Sequence, residues 1–283
     1  MPRYSILHKT LSDQRWQIAG FGLSLAAMAA MTIGIWPSYR DVLQNFDIPQ
    51  ALQAFLGTDL SMATPAGFVS AEFFGWIPVL LIVYAVIAGT GAIAGEEGSG
   101  TLDLVLAQPI TRRSLLLQKA AASAIGSVAI IAIGFLGFAV TIPFVDIAIS
   151  LTDTAVACAN MLPITLLFFT LSLWLGAVLP NRATASAGAV GVATAAYFIN
   201  SLAVGVQSLH NLRYATPFYY YGAGLPLVRG IDWPHAGLLL ALSAIFVALA
   251  LRTFTQRDVS TGGATDLDLA GILRRIVARG ASA

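Results

Sequence analysis

Phe73-Phe-Gly-Trp-Ile-Pro-Val-Leu-Leu-Ile-Val-Tyr-Ala-Val-Ile-Ala-Gly-Thr-Gly-Ala-Ile-Ala-Gly95 runs for 23 residues without Asp, Glu, Lys or Arg, and Glu96-Glu97 ends it. An α-helix of about 20 apolar residues crosses the ~30 Å hydrocarbon layer of a bilayer. Five further windows lack charge: 16–39, 120–145, 154–181, 183–212 and 233–251, of 24, 26, 28, 30 and 19 residues. Backbone amides cannot go unpaired in lipid, so each window is expected to be helical. The expected fold is therefore all-α: a polytopic membrane protein with six transmembrane helices near 18–36, 73–95, 121–145, 155–178, 184–207 and 235–253. Residues 1–255 form the transmembrane domain and 256–283 a tail, with short interfacial helices between the spans.

Composition agrees. Of the 283 residues, 57% are hydrophobic and 10% charged, and mean hydropathy is +0.79. Soluble domains are about a quarter charged, so the composition excludes a disordered chain and argues strongly against a soluble enzyme. A net charge of +1 offers no field for nucleic acid, which is not an expected partner. Cys158 is the only cysteine, so there is no internal disulfide and no multi-cysteine metal site. Ala27-Met28-Ala29 has the form of a signal-peptidase site, but the apolar run continues through Ile33, Ile35 and Trp36, which favours a retained first helix.

The basic residues orient the spans. With the N-terminus inside, twelve of the 15 Lys and Arg lie in inner segments, and only Arg40, Arg213 and Arg229 lie outside. By the positive-inside rule both termini are cytoplasmic.

Between the spans, Tyr4, Leu7 and Leu11 share a helical face, which suits either an interfacial helix or a solvated tail. In the first outer loop, Pro49 and Gly57 bracket a short helix with Leu52, Phe55 and Leu56 on one side. Thr216-Pro-Phe-Tyr-Tyr-Tyr-Gly222 sits in a charge-free stretch too short to span. It reads as a re-entrant or interfacial segment, with an aromatic substrate cage as the other reading. In the tail, Leu269, Ile272, Leu273, Ile276 and Val277 oppose Arg274, Arg275 and Arg279, forming a basic amphipathic helix. Ala183, Ala187, Gly191 and Ala195 recur every four residues, as do Gly91 and Gly95. Small residues so spaced permit close helix packing, within or between subunits.

The inner loop after the second helix carries the most specific pattern. Gly95-Glu-Glu-Gly-Ser-Gly-Thr-Leu-Asp-Leu-Val-Leu-Ala-Gln-Pro-Ile-Thr-Arg-Arg-Ser-Leu-Leu-Leu-Gln-Lys119 ends a membrane helix on two acids, breaks at Gly-x-Gly and stops at Pro109. Thr111 then caps a helix bearing Arg112, Arg113, Leu115–Leu117 and Lys119. This helix is expected to lie flat at the cytoplasmic face over 111–119, before the third span.

This stretch resembles the signature of type-2 ATP-binding-cassette (ABC) exporter permeases, in particular the branch with the nitrous-oxide-reductase maturation permease and sodium or antibiotic efflux permeases. Glu96, Glu97, Gly100, Thr101, Leu102, Leu106, Ala107, Gln108, Pro109, Arg112, Leu116 and Lys119 carry the match. Pro65-Ala-Gly67 and the Pro49–Gly57 loop helix add to it, whereas Gly98-Ser99 departs from relatives that carry charge there. The resemblance implies that 111–119 is a coupling helix docked on a separate ATPase subunit, with Glu96 and Glu97 fixing the helix end and Gly100, Thr101, Pro109, Arg112, Arg113, Leu116 and Lys119 at the contact. It also implies a second permease copy or paralogue, export rather than import, a place in the cell membrane, and no cofactor in this chain: ATP and Mg belong to the partner.

Neither of the two lysines, Lys9 and Lys119, stands in a Gly-Lys-Ser/Thr loop, so this chain is not expected to be the ATPase. His8, His210 and His235 are scattered and no Gly-x-Ser-x-Gly occurs, which argues against a membrane enzyme. An ion-coupled secondary transporter is the alternative. It is disfavoured because Glu72, Glu96, Asp146 and Asp153 all sit at window edges rather than at helix centres.

Overall fold

A computed structural model describes residues 6–44, 64–101, 110–222 and 226–256. Among them the regular elements are all helical and six helices are long and apolar enough to cross a membrane. They are α1 (Ile6–Gln44), α2 (Pro65–Gly98), α3 (Arg112–Thr141), α4 (Leu151–Val178), α5 (Arg182–Gly205) and α6 (Trp233–Gln256).

α1 is 39 residues long, roughly twice what the bilayer core needs at about 1.5 Å per residue. The stretch around Leu7 and Leu11 is thus the start of α1 rather than a separate interfacial helix, because neither Gly nor Pro interrupts it before Gly20. The Pro49–Gly57 helix, Leu102–Pro109 and the tail helix lie outside the described residues.

α2 and α4 form the centre. In each, 72% of the apolar window is buried, against 17–33% in the other four helices. A helix that is apolar on every face belongs inside, and α2 buries successive residues such as Leu81, Ile82, Tyr84, Ala85 and Val86. α1 packs on α3, α6 on α4, and α5 on both α2 and α4.

Glycines mark the close approaches within the chain. A Cβ added at Gly89 of α2 would lie 2.6 Å from the Phe169 carbonyl oxygen of α4. Gly137 of α3 faces the Ala26 backbone of α1, Gly134 faces Leu25, and Gly126 lies beneath the Tyr84 hydroxyl. Of the expected packing residues, Gly91 and Gly95 lie under the Arg182 side chain. Ala187, Gly191 and Ala195 are exposed, with open space around Gly191. α5 buries Ala185, Ala189, Ala193 and Ala196 instead. Its two faces are both rows of small residues, so period alone could not say which one meets the bundle.

Two π-helical turns shape α2, at Ser70–Phe74 and Gly91–Gly95. Pro78 has no N–H, so the Phe74 carbonyl has no donor four residues on. The Tyr221 hydroxyl donates to that carbonyl at 3.0 Å. Asn160 interrupts α4 between Ala159 and Met161 and donates to the Tyr221 carbonyl at 2.8 Å. The short helix Pro217–Tyr221, with Phe218 and Tyr221 buried, is thereby pinned between α2 and α4. The neighbouring tyrosines do not form an open cage: the Arg213 guanidinium lies over Tyr214 and Tyr219, 5.0 and 5.2 Å from the ring centroids.

Candidate functional site

The conspicuous chemistry gathers at one end of the bundle, where α1 and α3 begin, α2 ends and α5 begins. Thr111 caps α3 by accepting the Ser114 N–H at 3.2 Å, the role its sequence position suggested. α3 then runs unbroken to Thr141. The flat helix expected over 111–119 is therefore the opening of the third span itself. Nothing between Arg112 and Ile125 breaks a helix, and Ala and Leu favour one.

Lys119 is 3% exposed. Its ammonium pairs with the Glu96 carboxylate and donates to the Ala92 carbonyl at 2.7 Å. Ala92 lies in the second π-helical turn, where the Glu96 N–H bonds Ile93 O, three residues back. One buried cation thus locks the end of α2 to the start of α3. A charge this buried persists only when paired and hydrogen-bonded.

Other residues of the signature also turn inward. Leu115 and Leu116 are each 1% exposed and belong to the core. Arg112 donates to the Phe254 carbonyl at 3.3 Å and lies over its ring, tying α3 to the end of α6. Arg112, Leu116 and Lys119 are thus internal contacts, not an outward docking face. Amphipathic spacing shows which residues share a side, but not which side the bundle takes.

The outward face is a different set. Arg113 is exposed and Leu117 is 40% exposed. With Thr111, Ser114, Gln118, Ala121 and Leu7 they line a groove of about 390 Å³ between α3 and the start of α1. The Leu7 N–H donates to Gln118 Oε1 at 3.3 Å, joining its two walls. Where α2 ends, Glu97 is half-buried, while Ser99, Gly100 and Thr101 are exposed. Gly100 has φ +69°, which glycine alone adopts without strain. The Ser99 and Thr101 hydroxyls close the helix end on the Glu96 carbonyl at 3.2 and 3.3 Å.

Behind the Glu96–Lys119 pair lies a second cavity, of about 180 Å³, between α1, α2 and the start of α5. Asp13, Gln14, Gln17 and Arg182 line it. Gln14 donates to the Ser123 hydroxyl at 3.1 Å, and the Tyr84 hydroxyl donates to the Ser123 carbonyl at 3.4 Å. Sequence reading did not single out Asp13 or Arg182 as site residues. The available signal was that Arg182 is the one charge separating two long apolar windows. Among the described residues no three His, Cys, Asp or Glu side chains gather as a metal site, and Cys158 is a buried free thiol.

Six apolar helices, four of them around a buried central pair, with charge confined to their ends, define a multi-pass membrane protein. The family model described as ABC-2 family transporter protein matches residues 5–259, and the chain belongs to that family. It is thus an ABC transporter permease, the membrane subunit of a transport system rather than its enzyme. No curated protein matches the chain.

Proposed function

We propose that the chain is the membrane half of an exporter driven by ATP hydrolysis on a separate nucleotide-binding subunit, which carries the ATP and Mg. That subunit docks at the end of the bundle where α2 ends and α3 begins. The excess of inner basic residues makes this end cytoplasmic, in the cell membrane. The observation that carries the reading is the lock of Lys119 on Glu96 and Ala92 at the same end as an outward groove on α3. A force applied to the start of α3 reaches α2, one of the two central helices, through that pair without an intervening hinge. The contact face is Arg113 and Leu117 with the Ser99–Thr101 turn. A second copy or a paralogue completes the unit, and the outward row Ala187, Gly191 and Ala195 is open to it.

The test changes the outward residues only. Arg113→Glu with Leu117→Asp should leave the chain folded and inserted and cut capture of the ATPase subunit at least 10-fold. Interface anchors of this kind are worth about 1–3 kcal/mol or more. Capture is read by pull-down from detergent, and coupled ATP turnover by assay in vesicles. Wild-type capture and turnover in the double variant would refute the docking face.

A further inference from the structure

We propose that the cavity behind the Glu96–Lys119 pair binds a zwitterionic group, an ammonium joined to a phosphate, at the inner boundary of the membrane. Four charged side chains reach this cavity of about 180 Å³: Asp13, Glu96, Lys119 and Arg182. Two of them neutralise each other as the buried Glu96–Lys119 pair. Asp13 and Arg182 remain, on different helices, and neither forms an ion pair among the described residues. Beside that pair the cavity has one further carboxylate on the α1 side and one guanidinium on the α5 side, and the amides of Gln14 and Gln17 also line it. A ligand of a single sign satisfies one and opposes the other. A ligand carrying both signs satisfies both.

The guanidinium is positioned rather than loose. Arg182 lies across the bare Gly91–Gly95 turn of α2, its Cδ 3.5 Å from where a Gly95 Cβ would sit. Its Nη2 donates to the Ile87 carbonyl at 3.4 Å. That single long bond leaves most of its five donors available, and a planar guanidinium grips a phosphate with two parallel hydrogen bonds. Gln17, which also lines the cavity, forms no side-chain bond among the described residues and can accept from an ammonium. The Gln14 amide nitrogen is already used on Ser123.

Access is sideways. α1 and α5 each pack on α2 but make no comparable contact with one another. Both are peripheral helices with mostly outward faces. The cavity therefore opens between two peripheral helices, with α2 as its back wall. Arg182 begins a membrane helix and so stands at headgroup depth. A lipid headgroup of this chemistry and a free aminoalkyl phosphate would both fit the charges. This inference is separate from the docking face, because it concerns the membrane subunit alone and its test contains no ATPase.

The experiment uses the full chain, purified in detergent and depleted of lipid. The probe is phosphatidylethanolamine carrying a fluorophore on an acyl chain, read by anisotropy. Binding should weaken about 10-fold in Arg182→Gln and about 5-fold in Asp13→Asn, while Arg182→Lys stays within about 3-fold of wild type. Monodisperse elution of each variant shows that folding is intact. Phosphatidylglycerol, which lacks the ammonium, should compete at least 5-fold less well than unlabelled phosphatidylethanolamine. Displacement by millimolar phosphoethanolamine would support a free phosphate compound as the natural ligand. Failure of that compound to displace would support the lipid. Probe binding equal in wild type, Arg182→Gln and Asp13→Asn would overturn the proposal, as would phosphatidylglycerol competing equally in wild type and Asp13→Asn.

Discussion

Replacing Lys119 by Met retains the length and apolar stem of the side chain and removes only its charge and donors. Two losses follow. The Ala92 carbonyl loses the Lys119 ammonium as a donor, and a buried hydrogen bond to a charged group is worth about 1.5–3 kcal/mol. The Glu96 carboxylate loses its cation. For a fully buried pair that loss is about 3–5 kcal/mol, but the Glu96 side chain is 31% exposed, so water recovers part of it. Together these place the cost of Lys119→Met near 3 kcal/mol, to an order of magnitude. In a chain of this size each kcal/mol lowers the thermal midpoint by about 2–4 °C, which makes the expected drop about 6–12 °C. The assay is fluorescence-detected size exclusion of the detergent-solubilised chain after heating. Glu96→Gln should also destabilise, because it strands Lys119. The double variant Glu96→Gln with Lys119→Met should lose clearly less than the two single losses added, the mark of a coupled pair. A Lys119→Met midpoint within about 1 °C of wild type, or strict additivity in the double variant, would refute the lock and remove the observation behind the proposed coupling path.

Two further outcomes follow from the packing. Gly89→Val sets a side chain against the Phe169 backbone and should cost about 1–3 kcal/mol from overpacking. Gly191→Leu enters open space, should leave the midpoint of the single chain unchanged and should reduce only its self-association, read by crosslinking in membranes. A midpoint drop in Gly191→Leu as large as in Gly89→Val would mean that α5 is turned the other way. Tyr221→Phe removes the 3.0 Å bond to the carbonyl that Pro78 leaves without a donor. It should cost about 1 kcal/mol, visible as a fall of about 2–4 °C in the same heating assay; no change would show that water or another group serves that carbonyl equally well.

The six spans were legible because the lack of charge over about 20 residues is a property of the chain itself and needs no partner to define it. Two points at the ends of the inner loop were legible for the same kind of reason. A cap at Thr111 and a glycine at position 100 state local backbone needs, and α3 starts where its cap says, with Gly100 at positive φ. The family resemblance rested on that segment too, and the chain belongs to the family.

What the sequence could not decide was the direction in which each helix faces. Arg112, Arg113, Leu116 and Leu117 are neighbours in sequence, yet the bundle takes Arg112 and Leu116 inward and leaves Arg113 and Leu117 outside. In α5 two rows of small residues compete, and only packing against α2 and α4 chose the row through Ala185 and Ala189. The glycines at the true crossings, Gly89 and Gly137, carry no periodic mark, because a single close approach needs only one missing side chain. The Lys119–Glu96–Ala92 lock joins residues separated by 23 and 27 positions. It also involves a π-helical turn at Gly91–Gly95, which hydropathy does not mark. Local backbone preference and hydropathy are additive along the chain and can be read from it. The rotation of a helix about its own axis is set by all its neighbours at once, so it exists only in the folded protein.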